Sequence, residues 1–448
     1  MPTSFSEVLS RLPLRPFSVL TFGICMFVLI ADGMDQQLLG IVAPVVIADF
    51  GIDRGIFGIA NTASLVGFGL GSWSGGWLGD RVGRRWSLAL AAVVFSLGTV
   101  AAATSADVWQ LAIWRVIGGL GFGAAYSNAI ALAGEWLPER WRSVGVTTIS
   151  VGTPAGGLIA AALAPGILAA YDWRGTFVVF GIATLILCVV AIVPFLRDSP
   201  SFLLARGKKA EAQQNLRKVS DENIDLEPER HASDTADGAV GVFHRSNLRM
   251  NIGIAITFTS VIGVAYGILN WTTTILTSHG FTLPQAAFAV QIAGWTSIAS
   301  SIAVGLLIQR FGSKLMVALI SITLFISLVV LGWQVENLPA MPSEDQRNLV
   351  VALVGITAAI FSMGVASNYA IMTRGYPSSC RSAGIGFGIF MARIGGIAVT
   401  GFGGLLLDMG GNSVVPFFTV LCVLAVMTST AVFVVDKHVP PNAAASTP

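Results

Sequence analysis

The sequence predicts an all-α integral membrane protein, with twelve transmembrane helices arranged as two pseudo-symmetric six-helix bundles. Three observations carry that prediction. Of the 448 residues, 54% are hydrophobic and 11% charged, with a mean hydropathy of +0.76, whereas a soluble domain carries about a quarter charged residues. The apolar residues fall into twelve segments, each close to the roughly 20 residues that a helical span needs. Motifs of the first half also recur in the second.

The first segment, 17–48, has an apolar run too long for the core of a cleavable leader and lacks a small-residue cleavage site, so it is expected to be the first span. Segments 56–78, 86–105, 108–134, 143–170 and 174–196 complete a first bundle within residues 1–196. The one long polar interruption, 197–247, holds "RGKKAEAQQNLRK" and then an acidic, Ser/Asp-rich run to Gly241. Segments 248–276, 284–308, 315–333, 347–373, 382–407 and 413–435 make a second bundle within 248–435, and residues 436–448 form a tail.

Basic residues set the expected orientation. Twelve lie on the side shared by both termini, from Arg11 and Arg15 to Arg374, Arg381 and Lys437, and nine more run from Arg197 to Arg249 around the central loop. The opposite side has three, Arg54, Arg174 and Arg347. The termini and the central loop are therefore expected in the cytoplasm, and the chain in the cell's inner membrane as a multi-pass protein. The cysteines Cys25, Cys188, Cys380 and Cys422 are scattered singly, with no metal-ligand spacing, and neither a metal nor a cofactor is expected.

The repeat is readable in two places. "GWLGDRVGRRW" (76–86) aligns with "GLLIQRFGSKL" (305–315) at an offset of 229, and "EWLPERWRSVGV" (135–146) with "RGYPSSCRSAGI" (374–385) at an offset of 239. Two similar six-helix bundles are a transporter architecture, with a substrate site expected near the midplane between them.

Four ionisable residues fall well inside spans: Asp32, Asp35, Arg115 and Arg393. A charge at the bilayer centre costs roughly 2.5–3.5 kcal/mol on insertion scales, so it pairs or faces water. At about 1.5 Å of rise per residue, Asp32 lies about 22 Å up the first span and Arg393 about 17 Å up the eleventh. Arg115 lies about 10 Å below the outer edge of a core about 30 Å thick, so these residues fall near one layer. Asp32 and Asp35 share a helix face, and Gly33 between them adds backbone freedom that would let the helix open. Such charges serve either as ion pairs holding helices in register or as a site for protons and anions.

The stretches "GDRVGRR" (79–85) and "RVIGGLGFGAA" (115–125) resemble signatures of the major facilitator superfamily. Within it, "ADGMDQQLLGIVAPVV" resembles the D-G-x-D first span of the aromatic acid:proton symporters, and "SNAIALAGEWLPERWRS", "RDSPSFLLARGKKAE" and "YPSSCRSAGIGFGIFMARIGGI" agree with that group. The likeness covers nearly the whole chain. Two departures stand out: Met34 replaces the usual aromatic residue of D-G-x-D, and Tyr126-Ser127 stands where the group commonly has Met-Pro.

The resemblance implies import of an aromatic carboxylate by proton symport with alternating access. It assigns Asp32 and Asp35 to proton coupling and basic residues to the substrate carboxylate. Arg393 is the leading clamp, and Arg115 is either a second clamp or the resting partner of Asp32. A carboxylate beside an arginine holds a proton less well than one alone in a desolvated cavity, so an incoming anion that takes the arginine away promotes protonation. Candidates for the pocket wall are Asn61, Tyr126, Asn128, Tyr266, Asn270, Trp271, Trp295, Asn368 and Tyr369, with Trp271 open to an anchoring role instead. Asp80, Arg81, Gly83, Arg84 and Arg85, with Glu135, Arg142 and Arg381, are expected to gate as a breakable charge cluster, although the arginines also serve topology. A proton-coupled exporter is the rival, through "GTPAGG" (152–157), which partly matches that group's fifth-span run. A membrane chemosensor for aromatic acids is a second rival. The expected partners are the aromatic acid, protons and the bilayer, with no nucleic acid, in a monomer. The short glycine runs lack the lysine of a phosphate loop, and the chain is expected not to be an enzyme.

Overall fold

The computed structural model describes residues 5–138, 141, 145, 148–149, 151–220, 226, 241–377 and 380–441. The first half contains α1 (Phe5–Arg11), α2 (Pro16–Phe50), α3 (Arg54–Val82), α4 (Arg84–Ala102), α5 (Val108–Trp136) and α6 (Gly152–Phe195). Two short helices follow, α7 (Pro200–Ala205) and α8 (Lys209–Leu216). The second half holds α9 (Leu248–Ser278), α10 (Leu283–Phe311), α11 (Ser313–Glu336), α12 (Glu344–Gly375), α13 (Arg381–Gly410) and α14 (Val415–Val434).

Among the described residues, 11 helices are long and apolar enough to cross a membrane. The 44-residue α6 is two spans in one, because Asp172 (φ 58°, ψ −173°) breaks it between the fifth and sixth apolar segments. The twelve spans read from the sequence are therefore present, and the fold is all-helical. Several helices begin at polar caps that hold the backbone at the boundary. Asp107 accepts from the N–H groups of Trp109 and Gln110, each at 2.8 Å, and Thr282–Gln285 and Ser343–Gln346 form capping boxes. The loop helix α7 has its own start signal, Ser199 as N-cap followed by Pro200.

The chain forms two compact units. The first comprises Met1–Gln36, Val66–Gly156 and Arg174–Ala236. Its helices approach through glycines: a Cβ on Gly67, Gly71 or Gly75 of α3 would overlap Val116, Leu120 or Ala124 of α5. Gly33 plays the same part in α2, facing the Thr153 carbonyl of α6. The helix runs unbroken through it, and in this structure Gly33 is a close-packing position. Near the chain start, Phe5 and Phe17 meet the buried Trp136 ring edge-on, at 5.5 and 4.8 Å between centroids.

The second unit comprises Gln37–Leu65, Gly157–Trp173 and Asp237–Pro448. Within it, residues 37–65 are bonded to α9 and α13. Gln37 Nε2 donates to the Leu269 carbonyl at 2.7 Å, the Thr273 hydroxyl donates to the Gly40 carbonyl, and Gly55 N donates to Asp408 Oδ2 at 2.6 Å. Trp271 is buried here, with Nε1 donating to the Thr400 carbonyl at 3.2 Å and its ring edge-on to Phe57. It is a packing residue, neither a membrane-interface anchor nor a wall of an open pocket.

The internal repeat appears in the backbone. Gly83 (φ 107°) and Gly312 (φ 80°), which align at the offset of 229, both take left-handed conformations and both directly precede the next helix. A turn of that hand is open to glycine at no steric cost.

Candidate functional site

In the first unit the sequence-selected acids lie on one helix with different surroundings. Asp35 is 2% exposed and has both carboxylate oxygens engaged. Arg115 Nη1, from α5, donates to Oδ2 at 2.6 Å, and Thr99 Oγ1, from α4, donates to Oδ1 at 2.5 Å. Arg115 Nη2 also reaches the Asp35 carbonyl at 3.4 Å. Arg115 is itself 2% exposed, so this is a desolvated pair with a third helix holding its free oxygen. Arg115 is thus paired with Asp35, an arrangement that differs from both readings of it, a second clamp or the resting partner of Asp32.

Asp32, fully buried, accepts from Gln36 Nε2 at 2.8 Å, one turn along α2. A carboxamide suits a group that changes protonation. Its NH₂ donates to a carboxylate, and its carbonyl, after a flip, accepts from a carboxylic acid.

In the second unit, Arg393 on α13 is half-buried and its Nη1 donates to Tyr266 Oη of α9 at 2.7 Å. That bond aims the guanidinium while using one of its five N–H donors. Asn270 is buried and donates to Thr400 Oγ1 at 3.1 Å. Asn61 is buried as well, and its Nδ2 has no acceptor among the described residues.

Several wall candidates are placed otherwise. Asn128 is fully buried, and its two Nδ2–H groups are shared among three acceptors, the Gly75 carbonyl at 2.9 Å, Ser87 Oγ at 2.9 Å and the Ala124 carbonyl at 2.8 Å. It stitches α3, α4 and α5 together. Asn368 ties α12 to α9, accepting from Thr257 Oγ1 at 2.7 Å and donating to the Gly364 carbonyl at 2.9 Å. Both asparagines bridge helices in this structure, Asn128 linking the second, third and fourth spans of the first half and Asn368 the first and fourth spans of the second, so the recurring "SN" marks a different helix contact in each half. Tyr126 and Tyr369 are half-buried against Phe68 and Phe258, with centroids 5.6 and 5.2 Å apart, and Trp295 is 58% exposed on α10.

The gating candidates on the first unit do form a cluster. Arg84 donates through Nη2 to Asp80 at 2.8 Å and through Nε to Glu135 at 2.5 Å. The Asp80 carbonyl accepts from Arg206 at 3.0 Å, and the Arg81 guanidinium lies 3.8 Å from the Trp77 ring centroid. Asp198, which belongs to the "RDSPSFLLARGKKAE" stretch but is not among the gating candidates, receives the Arg85 backbone N–H at 3.0 Å and sits where a Cβ on Gly83 would project. Burial pushes its carboxyl above the usual range, against the lowering effect of the Arg85 N–H and guanidinium. Arg142 and the Arg381 side chain lie outside the described residues.

Comparison with known proteins follows the same lines. The profile described as Major Facilitator Superfamily matches residues 25–341. The 4-hydroxybenzoate transporter PcaK of Pseudomonas aeruginosa is 28% identical over 410 residues, covering 89% of this chain and 88% of that protein. The 3-(3-hydroxy-phenyl)propionate transporter of Escherichia coli is 29% identical over 402 residues, covering 88% and 89%. Among solved structures, the xylose transporter XylE from E. coli, in a partially occluded inward open conformation, superposes with a TM-score of 0.71 at 17% identity, covering 94% of this chain and 98% of that one.

Proposed function

Because this chain belongs to the Major Facilitator Superfamily, and is thus a membrane transporter and not an enzyme, we propose that it imports an aromatic carboxylate together with protons by alternating access. The observation that carries this reading is the buried D-G-M-D segment of α2, with Asp35 paired to Arg115 and Asp32 against Gln36. The names of its relatives, transporters of 4-hydroxybenzoate and of a hydroxyphenylpropionate, support the substrate class.

In this scheme Asp32 carries the proton, exchanging the donor and acceptor faces of the Gln36 amide as it does so. The Asp35–Arg115 pair is a fixed neutral element that keeps the local field constant. Arg393, aimed by Tyr266, clamps the substrate carboxylate, and Asn61 and Asn270 supply hydrogen bonds to ring substituents. One proton with a monoanion is electroneutral, so uptake draws on the pH gradient; a second proton would add about 2.3 kcal/mol per 100 mV. The Asp80–Arg84–Glu135 cluster opens and closes with the cycle. The bilayer is the cell's inner membrane, residues 1–196 and 248–435 are the two repeats, 197–247 is a cytoplasmic loop, and the working unit is a monomer.

The test uses purified protein in liposomes, recording proton entry on addition of hydroxybenzoates, cinnamates and phenylpropionates outside, with Asp32→Asn as control. Proton entry with one aromatic acid, abolished in the variant, supports the symporter. Saturable binding without proton movement overturns it in favour of a sensor, and acid-driven efflux in favour of an exporter.

A further inference from the structure

The transport scheme leaves unused a polar cavity of about 320 Å³ in the first unit. It lies where α4 begins, beside the segment that follows α6 and the two loop helices. Its lining includes four cationic side chains, Arg85, Arg197, Lys208 and Lys218, against two carboxylates, Asp198 and Glu211.

Both carboxylates are already engaged from within: Asp198 holds the Arg85 N–H at 3.0 Å, and Glu211 pairs with Lys208 at 3.2 Å. The excess charge of the lining is positive, and a cavity so lined raises the local concentration of anions. Its volume falls at the lower end of the range, about 300–1,000 Å³, for small-molecule sites.

The cavity's neighbourhood is that of a membrane boundary. Trp86, on the wall, is 48% exposed, and the Arg85 guanidinium lies 4.8 Å from its ring centroid. Continuing up the same face of α4 at helical spacing are Leu90 and Leu97, 52% and 51% exposed. An aromatic ring at the height of lipid headgroups, with aliphatic side chains above and a basic cavity beside it, matches a phosphate with acyl chains attached.

We propose that this cavity binds a phosphate group, held by Arg85, Arg197 and Lys218, and that the exposed stripe of α4 favours the headgroup of an anionic phospholipid as its source. The site is separate from Asp32, Asp35 and Arg393 and does not depend on the transport reading.

The full-length protein in detergent would be titrated calorimetrically with dioctanoyl phosphatidylglycerol, dioctanoyl phosphatidylcholine and sn-glycerol 3-phosphate, as wild type and as Arg197→Gln/Lys218→Gln. Expected is phosphatidylglycerol binding at least tenfold tighter than phosphatidylcholine, weakened about tenfold in the double variant. Glycerol phosphate binding as tightly as phosphatidylglycerol, with the same loss, keeps the phosphate site and assigns it to a free ligand. Equal binding of the two lipids, or phosphatidylglycerol binding untouched by the variant, overturns the proposal. Should the double variant not fold, Arg197→Lys/Lys218→Arg and competition between glycerol phosphate and phosphatidylglycerol on the wild type replace it; absence of competition then overturns the proposal.

Discussion

Arg115 and Asp35, 80 residues apart in sequence, lie 2.6 Å apart, with both residues 2% exposed. Removing one member leaves an uncompensated buried charge, which is destabilising by about 3–5 kcal/mol. Arg115→Met is expected to lower the melting temperature in detergent sharply. Arg115→Met/Asp35→Asn should recover most of that loss, because the orphan charge is gone. Failure of the double variant to recover would mean that the pair does not act as a neutral unit.

Tyr266→Phe deletes the hydroxyl that receives Arg393 Nη1 at 2.7 Å. A hydrogen bond to a charged group contributes about 1.5–3 kcal/mol, so KM for the acid should rise about tenfold or more with little change in melting temperature. An unchanged KM would remove Arg393 from the role of an aimed clamp.

At Gly83 a Cβ would meet the Asp198 carboxylate at 2.7 Å, in a backbone of φ 107°. At Gly312 the nearest atom would be Pro441 Cδ at 3.1 Å, with φ 80°. Gly83→Ala is therefore expected to destabilise by more than the roughly 1–2 kcal/mol of the left-handed conformation alone, and Gly312→Ala by less than Gly83→Ala. Melting temperatures in the order wild type, Gly312→Ala, Gly83→Ala check this; the reverse order contradicts it.

Burial raises the Asp198 carboxyl above its ordinary value. The folded protein thus binds a proton there more readily than the unfolded chain, and stability falls as pH rises from the ordinary carboxylate value through the raised one. Asp198→Asn keeps an acceptor for the Arg85 N–H and removes that slope. Melting curves between about pH 4 and 7 should be flatter for the variant; parallel curves would show that Asp198 titrates normally.

Much of this architecture is legible in the amino-acid sequence because bilayer length and apolar composition leave few alternatives. Asp32, Asp35, Arg115 and Arg393 stand out for the same reason: an ionisable group in an apolar run needs a justification. Their partners do not stand out. Nothing local marks Thr99 as the second donor to Asp35, 64 residues away, or Tyr266 as the acceptor of Arg393, 127 away. Asn128, Asn368 and Trp271 read equally as pocket wall or packing, since a polar or aromatic residue in a span is explained by either. Gln36 alone had a local signal, one turn from Asp32.

The spacing of Gly67, Gly71 and Gly75 along α3 implies a sharp pattern in a saturation mutagenesis scan. Backbone meets backbone there, so even a methyl group has nowhere to go, and every fourth position should be depleted of all alternatives. Gly69 and Gly76, on the same helix, have nothing within 4 Å of a Cβ and should accept alanine. Tolerance along this helix would then follow its geometry rather than the identity of the residue.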